Sequence, residues 1–101
     1  MSNSAPKIAL VLDPADNAAT LLSNAGKGDR ITLKGSEGDM LSDGVIETGH
    51  KIALSHIKVG KDIIKYGQRI GVATSDIKPG EWIHLHNMES VYDKEFKKRI
   101  E

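Results

Sequence analysis

One pattern, met three times, limits what this chain can fold into: a short apolar run, a serine, a polar residue, a turn closed by glycine, and a second apolar run. The copies are residues 21–28 (LLSNAGKG), 53–60 (ALSHIKVG) and 73–80 (ATSDIKPG). An isoleucine follows the closing glycine by three residues each time, at Ile31, Ile63 and Ile83, so the downstream segments share a register. The flanking runs are rich in β-branched residues and too short for stable helices, which favours strands. Between them a Ser, Asn or Asp side chain can bond nearby amides, and glycine supplies a positive φ. The pattern predicts strand, short helical turn and strand, used repeatedly, with Ile57 and Ile77 tucking their turns against the core. The fold class expected is mainly β.

The chain has 101 residues, 39% hydrophobic and 28% charged, the make-up of one compact domain. One Trp, two Tyr and one Phe leave the core to Ile, Val, Leu and Ala. A domain this small buries only about 60–65% of its unfolded surface and gains from a partner, a further copy of itself included. Fourteen basic residues offset fourteen acidic ones, so no net field draws the chain to nucleic acid or to a membrane surface. Cysteine is absent, which excludes disulfides and thiolate chemistry and fits a reducing compartment. Residues 1–7 are polar and the apolar run at 8–12 is too brief for a signal-peptide core or a membrane span. The cytoplasm is the expected location.

Along the chain, residues 1–12 read as a lead-in and first strand, 13–87 as the domain proper and 88–101 as a charged tail. Residues 34–44, with Gly35, Gly38 and Gly44 among polar residues, read as an exposed hairpin or loop. For residues 13–26 a helix, capped by Asp16 or Asn17 and closed by Gly26, competes with a strand through 17–21. Analogy with the other copies favours the strand. In the tail, Val91, Tyr92, Phe96 and Ile100 have helical spacing, the pattern of a helix that docks on a partner.

Three polar clusters interrupt the apolar segments: His50 and Lys51 after Gly49, Lys65 and Tyr66 before Gly67, and His84, His86 and Asn87 around Leu85. Cations and imidazoles are costly to bury unpaired, so these clusters predict a shared polar rim. Were residues 84–86 extended, His84 and His86 would point to the same face. Two imidazoles there can contribute to a divalent-metal site or serve as acid and base near neutral pH. A metal site normally needs a third ligand; His50 is the one obvious candidate, and no ligand set is assigned. A solvated strand face explains the same pair, and Lys65 and Tyr66 can equally cover an apolar edge with stem and ring. His56 lies in a turn and reads as a surface residue. Nucleotide-loop and serine-hydrolase signatures are absent.

The runs GHKIAL at 49–54, IKYGQ at 64–68, IGVA at 70–73 and EWIHLHN at 81–87 resemble the amino-terminal domain of altronate dehydratase, galactarate dehydratase and the small subunit of sulfolactate sulfo-lyase. The resemblance covers residues 13–87 and implies a SAF-type domain with a β-clip fold. It further implies a lyase that removes water, or sulfite in one branch, from a polyhydroxy acid. A large catalytic subunit and a divalent metal, iron or manganese, held mainly by that subunit, come with the family. Mapped onto this sequence, the catalytic candidates are His84, His86, Lys65 and His50. The substrate-binding candidates are Lys51, Tyr66, Asn87, Asp16 and Asn17, the last two matching the family's Asp-Asn pair. The sequence departs where the family often has a histidine shortly before that pair, since Asp13 stands here, and where a valine usually follows it, since Ala18 stands here. The implied role is a small, substrate-side subunit that does not turn over substrate alone. A stand-alone SAF-like module that binds an acidic sugar or a protein is the alternative.

Far-ultraviolet circular dichroism of the purified chain should show a strand-dominated spectrum, and a helix-dominated one would overturn the reading of the repeat.

Overall fold

The computed structural model describes residues 6–90. Those residues form strands β1 (Lys7–Leu10), β2 (Ala18–Leu21), β3 (Arg30–Lys34), β4 (Asp39–Leu41), β5 (Lys51–Ala53), β6 (Asp62–Lys65), β7 (Gln68–Ala73), β8 (Trp82–Ile83) and β9 (Met88–Ser90). A six-stranded sheet has the order β4-β3-β1-β2-β5-β8, and a three-stranded sheet has the order β6-β7-β9. All pairs are antiparallel except β1 with β3. The strand reading of residues 17–21 holds as β2, and residues 34–44 contain the turn of the β3–β4 hairpin.

No helix is present among the described residues, which corrects the short helical turns expected within the repeat. Each repeat instead passes through one bridge residue and then a β-turn whose third residue is glycine, at φ 85° for Gly28, 86° for Gly60 and 86° for Gly80. The turns close through Asp29 N–H to Gly26 C=O, Lys61 N–H to Lys58 C=O and Glu81 N–H to Lys78 C=O, each 3.0 Å. Glycine at positive φ reverses the chain, and a right-handed helix cannot continue through it.

The structure also reveals a fourth copy, residues 42–49 (SDGVIETG). Its bridge residue is Ile46, its closing glycine is Gly49 at φ 89°, and Ile52 follows three residues later. Gly44 stands where the other copies have serine, which hid it. The copies work in pairs: Ala25 bridges Ile46 and Ile57 bridges Ile77, each through two reciprocal backbone bonds of 2.8–2.9 Å.

Each bridged pair lies in its own core. Ala9, Leu21, Ile31 and Ile52 pack around Ala25 and Ile46, while Ile63, Ala73, Ile83 and Met88 pack around Ile57 and Ile77. Strands β2 and β5 serve both. Ala18 and Ala53, directly paired, face the second core, whereas Ala19 and Ile52, the next pair, face the first. The expectation that Ile57 and Ile77 tuck their turns into the core is met, since they are 2% and 0% exposed. Residues 88–90 form β9 against β7, so the expected tail helix does not start at Met88; residues 91–101 lie outside the described residues, as do residues 1–5.

Gly80 carries two constraints at once. Besides its positive φ, a Cβ there would lie 2.3 Å from the Leu41 carbonyl oxygen, whereas a Cβ on Gly49 would meet nothing within 4 Å. Gly49→Ala should lower unfolding free energy by about 1–2 kcal/mol, the left-handed penalty alone. Gly80→Ala should cost about 2–5 kcal/mol because overpacking adds to it. Urea unfolding of the two variants checks the ordering.

Candidate functional site

The polar rim is built on the strands that separate the two cores. Across β2, β5 and β8 the register aligns Thr20 with Lys51 and Lys51 with Ile83, and in the next row Ala19 with Ile52 and Ile52 with Trp82. Alternation sends these rows to opposite faces. His50 and Lys51 are consecutive and therefore diverge: Lys51 faces the side of Thr20, and His50 the side of Trp82.

On the lysine face, the β6–β7 hairpin brings in Lys65 and Tyr66. Its two-residue turn, Tyr66-Gly67, has φ of 57° and 75°, as a type I′ turn demands, and tyrosine is an unusual residue at positive φ. Thr20 Oγ1 lies 3.3 Å from Lys65 Nζ and 3.2 Å from the Tyr66 hydroxyl. Lys65 Nζ sits 4.3 Å from the centre of the Tyr66 ring, within cation–π range. Burial, with the nearby Lys65 charge adding to it, pushes the Lys51 ammonium below the usual lysine range. Among the described residues neither lysine forms an ion pair with a carboxylate.

Asp16 and Asn17 hold this hairpin in place. Asp16 Oδ1 accepts from Gly67 N–H at 2.8 Å, and Oδ2 accepts from Leu12 and Asp13 N–H, both at 3.2 Å. Asn17 Oδ1 accepts from Ile64 N–H at 2.7 Å while its Nδ2 donates to Asp62 C=O at 2.9 Å. Expected as substrate contacts, both side chains are engaged with backbone and act as fasteners. Burial alone would raise the Asp16 pKa, but the donated amide bonds from Gly67, Leu12, Tyr66 and Asp13 outweigh it and hold the carboxyl below the usual 3.8.

On the opposite face three imidazoles gather on one indole. The Trp82 ring stacks on His84, with centroids 5.0 Å apart and planes 9° apart, and meets His86 at 5.1 Å and His50 at 5.6 Å. His50 and His84 are 5.7 Å apart, and Trp82 Nε1–H donates to His50 Nδ1 at 3.1 Å. The extended conformation assumed for residues 84–86 is not found: β8 ends at Ile83, and residues 84–87 form a turn closed by Asn87 N–H to His84 C=O at 3.0 Å. Asn87 is the reason. Only 1% exposed, it accepts from His84 N–H and donates to Trp82 C=O, each at 2.9 Å. Its amide is engaged with backbone, and it positions the turn that carries His84 and His86.

The single shared rim expected of these clusters is not found: strand alternation gathers His50, His84 and His86 around Trp82 on one face and Lys51, Lys65 and Tyr66 around Thr20 on the other. Among the described residues no three His, Cys, Asp or Glu side chains are arranged to hold a metal ion, so this domain's own donors do not fit the divalent metal that the resemblance implies. His56 is exposed, 4.0 Å from Asp76, as a surface residue would be. Two site residues were missed from the sequence. Trp82, the sole tryptophan, stands two residues before His84, a signal that was available; Thr20 becomes visible only through its pairing with Lys51. Open clefts lie beside Trp82 and beside Asp16. One, about 240 Å³, is lined by Val45, Glu47, His50 and Trp82. The other, about 490 Å³, includes Asp13, Asp16 and Glu37, a lining ill suited to an anion.

Comparison with known proteins gives these motifs their setting. Residues 7–91 match the altronate/galactarate dehydratase SAF domain. The chain belongs to that family. It is 43% identical over 75 residues to an altronate dehydratase of Bacillus subtilis (strain 168), covering 74% of this chain and 15% of the relative. Similarity to the altronate dehydratase of Escherichia coli (strain K12) is 36% over 72 residues, 71% of this chain and 14% of the relative. The chain spans about one seventh of the length of these enzymes. It is also 33% identical over 60 residues, 59% of this chain, to (2R)-sulfolactate sulfo-lyase subunit alpha of Paracoccus pantotrophus, and there the match covers 90% of the relative.

Asp16 supplies a pH test. Its folded pKa is depressed, so its contribution to stability is complete above 3.8 and is lost as pH falls through the lower folded value. The acid limb of the stability curve should therefore be shallower in Asp16→Asn than in the parent chain; equal slopes below that pH would show that ionisation of Asp16 is not linked to folding.

Proposed function

We propose that this domain is the substrate-side part of a sugar-acid dehydratase and completes an active site shared with a large catalytic subunit. The observation that carries the reading is the pair Lys51 and Lys65, two cations on one face without a carboxylate partner among the described residues, in a domain of this family. Like charges held close on a partly desolvated surface favour an anion between them, and the carboxylate of a polyhydroxy acid supplies one. The Tyr66 hydroxyl adds a polar group beside it.

Dehydration of such an acid removes the α-proton to a base and the β-hydroxyl as water, leaving an enol that becomes the 2-keto acid. The lysines stabilise the negative charge that develops on the carboxylate side. His84 and His86, exposed on the indole, are the groups for proton transfer. Asp16, Asn17 and Asn87 serve by holding the turns that present these side chains. In this reading a divalent metal, iron or manganese, is held mainly by the large subunit; among the described residues of this chain no three His, Cys, Asp or Glu side chains form a metal site. The separate-subunit arrangement is supported by the sulfo-lyase relatives, which are named as subunit alpha.

Co-purification from the source cells, followed by a dehydratase assay of the complex on a panel of sugar acids, tests the assignment. Recovery of this chain without a large partner, with sugar-acid binding but no turnover, would support the stand-alone binding module instead. In the active complex, His84→Ala or His86→Ala should lower turnover about 10²-fold or more, with stability changed by no more than about 0.5 kcal/mol. A loss of melting temperature with unchanged turnover per complex would remove the histidine from the chemistry. Calorimetric affinity for galactarate should weaken as pH rises through the lowered Lys51 pKa, because the site loses a cation, and Lys51→Met should abolish that dependence.

A further inference from the structure

Trp82 touches every histidine of the rim, yet its indole has one polar group, a nitrogen that only donates. That N–H points at His50 Nδ1 at 3.1 Å. Nδ1 must then be the accepting nitrogen, and in a neutral imidazole the hydrogen is left on Nε2. The ring is also held laterally, since His84 lies 5.7 Å away and itself stacks on the indole. Its backbone is fixed on both sides: His50 N–H donates to Glu47 C=O at 3.1 Å, and Leu21 N–H donates to His50 C=O at 2.9 Å. Swinging His50 away from the indole would therefore require its side chain alone to leave a cluster of three rings in mutual contact.

We infer that Trp82 is a positioning residue that fixes His50 as the Nε2–H tautomer, so that His50 meets a ligand as a hydrogen-bond donor and not as a base. One ring nitrogen is committed to the indole and the other carries a hydrogen, so neither offers a free lone pair for a substrate proton or a metal ion. The three histidines thereby divide. His50, lining the cleft with Val45, Glu47 and Trp82, donates to an acceptor oxygen such as a substrate carboxylate or hydroxyl, and proton abstraction falls to the exposed rings of His84 or His86. This division deepens the proposed function and rests on it for the naming of the ligand, whereas the tautomer itself is a property of the free domain.

Nitrogen-15 spectra of the histidine rings in the labelled full chain, recorded without ligand at a pH where the rings are neutral, test it. His50 in the parent chain should show the Nε2–H form, with Nδ1 unprotonated. Trp82→Phe, which keeps an aromatic face under His84 but removes the N–H, should show His50 in a mixture of both forms. An Nδ1–H His50 in the parent chain, or an unchanged tautomer in Trp82→Phe, would overturn the assignment. Should Trp82→Phe fail to fold, hydrogen exchange of the single indole N–H in the parent chain and in His50→Phe decides the matter. Protection lower by about fivefold or more in the variant is the loss expected of one net hydrogen bond, and equal exchange overturns the inference. Because no ligand enters these measurements, their failure would leave the sugar-acid proposal standing, and failure of sugar-acid binding would leave the tautomer intact.

Discussion

The pairing of β2 with β5 is the constraint on which the rest depends. A ladder that is buried on both faces must carry apolar residues at successive positions, and small ones wherever two cores approach it from opposite sides. Ala18, Ala19 and Ala53 meet that demand, each 0% exposed. Leucine at Ala53 would push the second core off the wall, while loss of Ile52 would open the first. The same ladder turns polar at one end. Beyond Ala19 and Ile52 come Thr20 and Lys51, then Leu21 beside His50, so the wall between the cores ends as the base of the site.

Carboxamide and carboxylate side chains act here mainly on backbone. Asn17 joins β6 to the start of β2, Asp16 grips the Tyr66-Gly67 turn, and Asn87 closes the turn that follows β8. Each occupies donors or acceptors that a tight turn leaves unpaired, and a buried amide without such partners would be destabilising by about 1–3 kcal/mol. The polar groups of this domain share a common logic: a fastener next to, or facing, the groups that it presents. Asp16 and Asn17 fasten the hairpin that presents Lys65 and Tyr66, and Asn87 fastens the turn that presents His84 and His86. Asp13 caps its own turn by accepting from Ala15 N–H at 2.9 Å.

Cations and imidazoles are kept on different sides of the ladder, joined through the consecutive residues His50 and Lys51. A lysine placed among the histidines would disfavour their protonated form, and the separation removes that repulsion. The tilted and stacked rings around Trp82 give the second group a rigid base, although His84 and His86 themselves are exposed.

The sequence by itself determined the strands and the turn glycines, because both are written in local chemistry. β-Branched runs too short for helices and glycines recurring before an isoleucine specify them without reference to distant residues. It also placed the polar groups worth examining, and family membership was legible in their order. What only the tertiary structure decided was pairing. The fourth repeat was concealed by Gly44 in place of serine, and its identity rests on the bridge between Ala25 and Ile46. The two-residue spacing of His84 and His86 implied one extended face, but Asn87 folds that segment into a turn, and it is the ring of Trp82 that reunites them. Thr20 had no local mark at all, since its place beside Lys51, Lys65 and Tyr66 comes from register between strands far apart in the chain. Side-chain periodicity reports which face a residue takes within its own strand; which strand lies opposite is set by the burial of two cores against one wall, and that is a property of the whole fold.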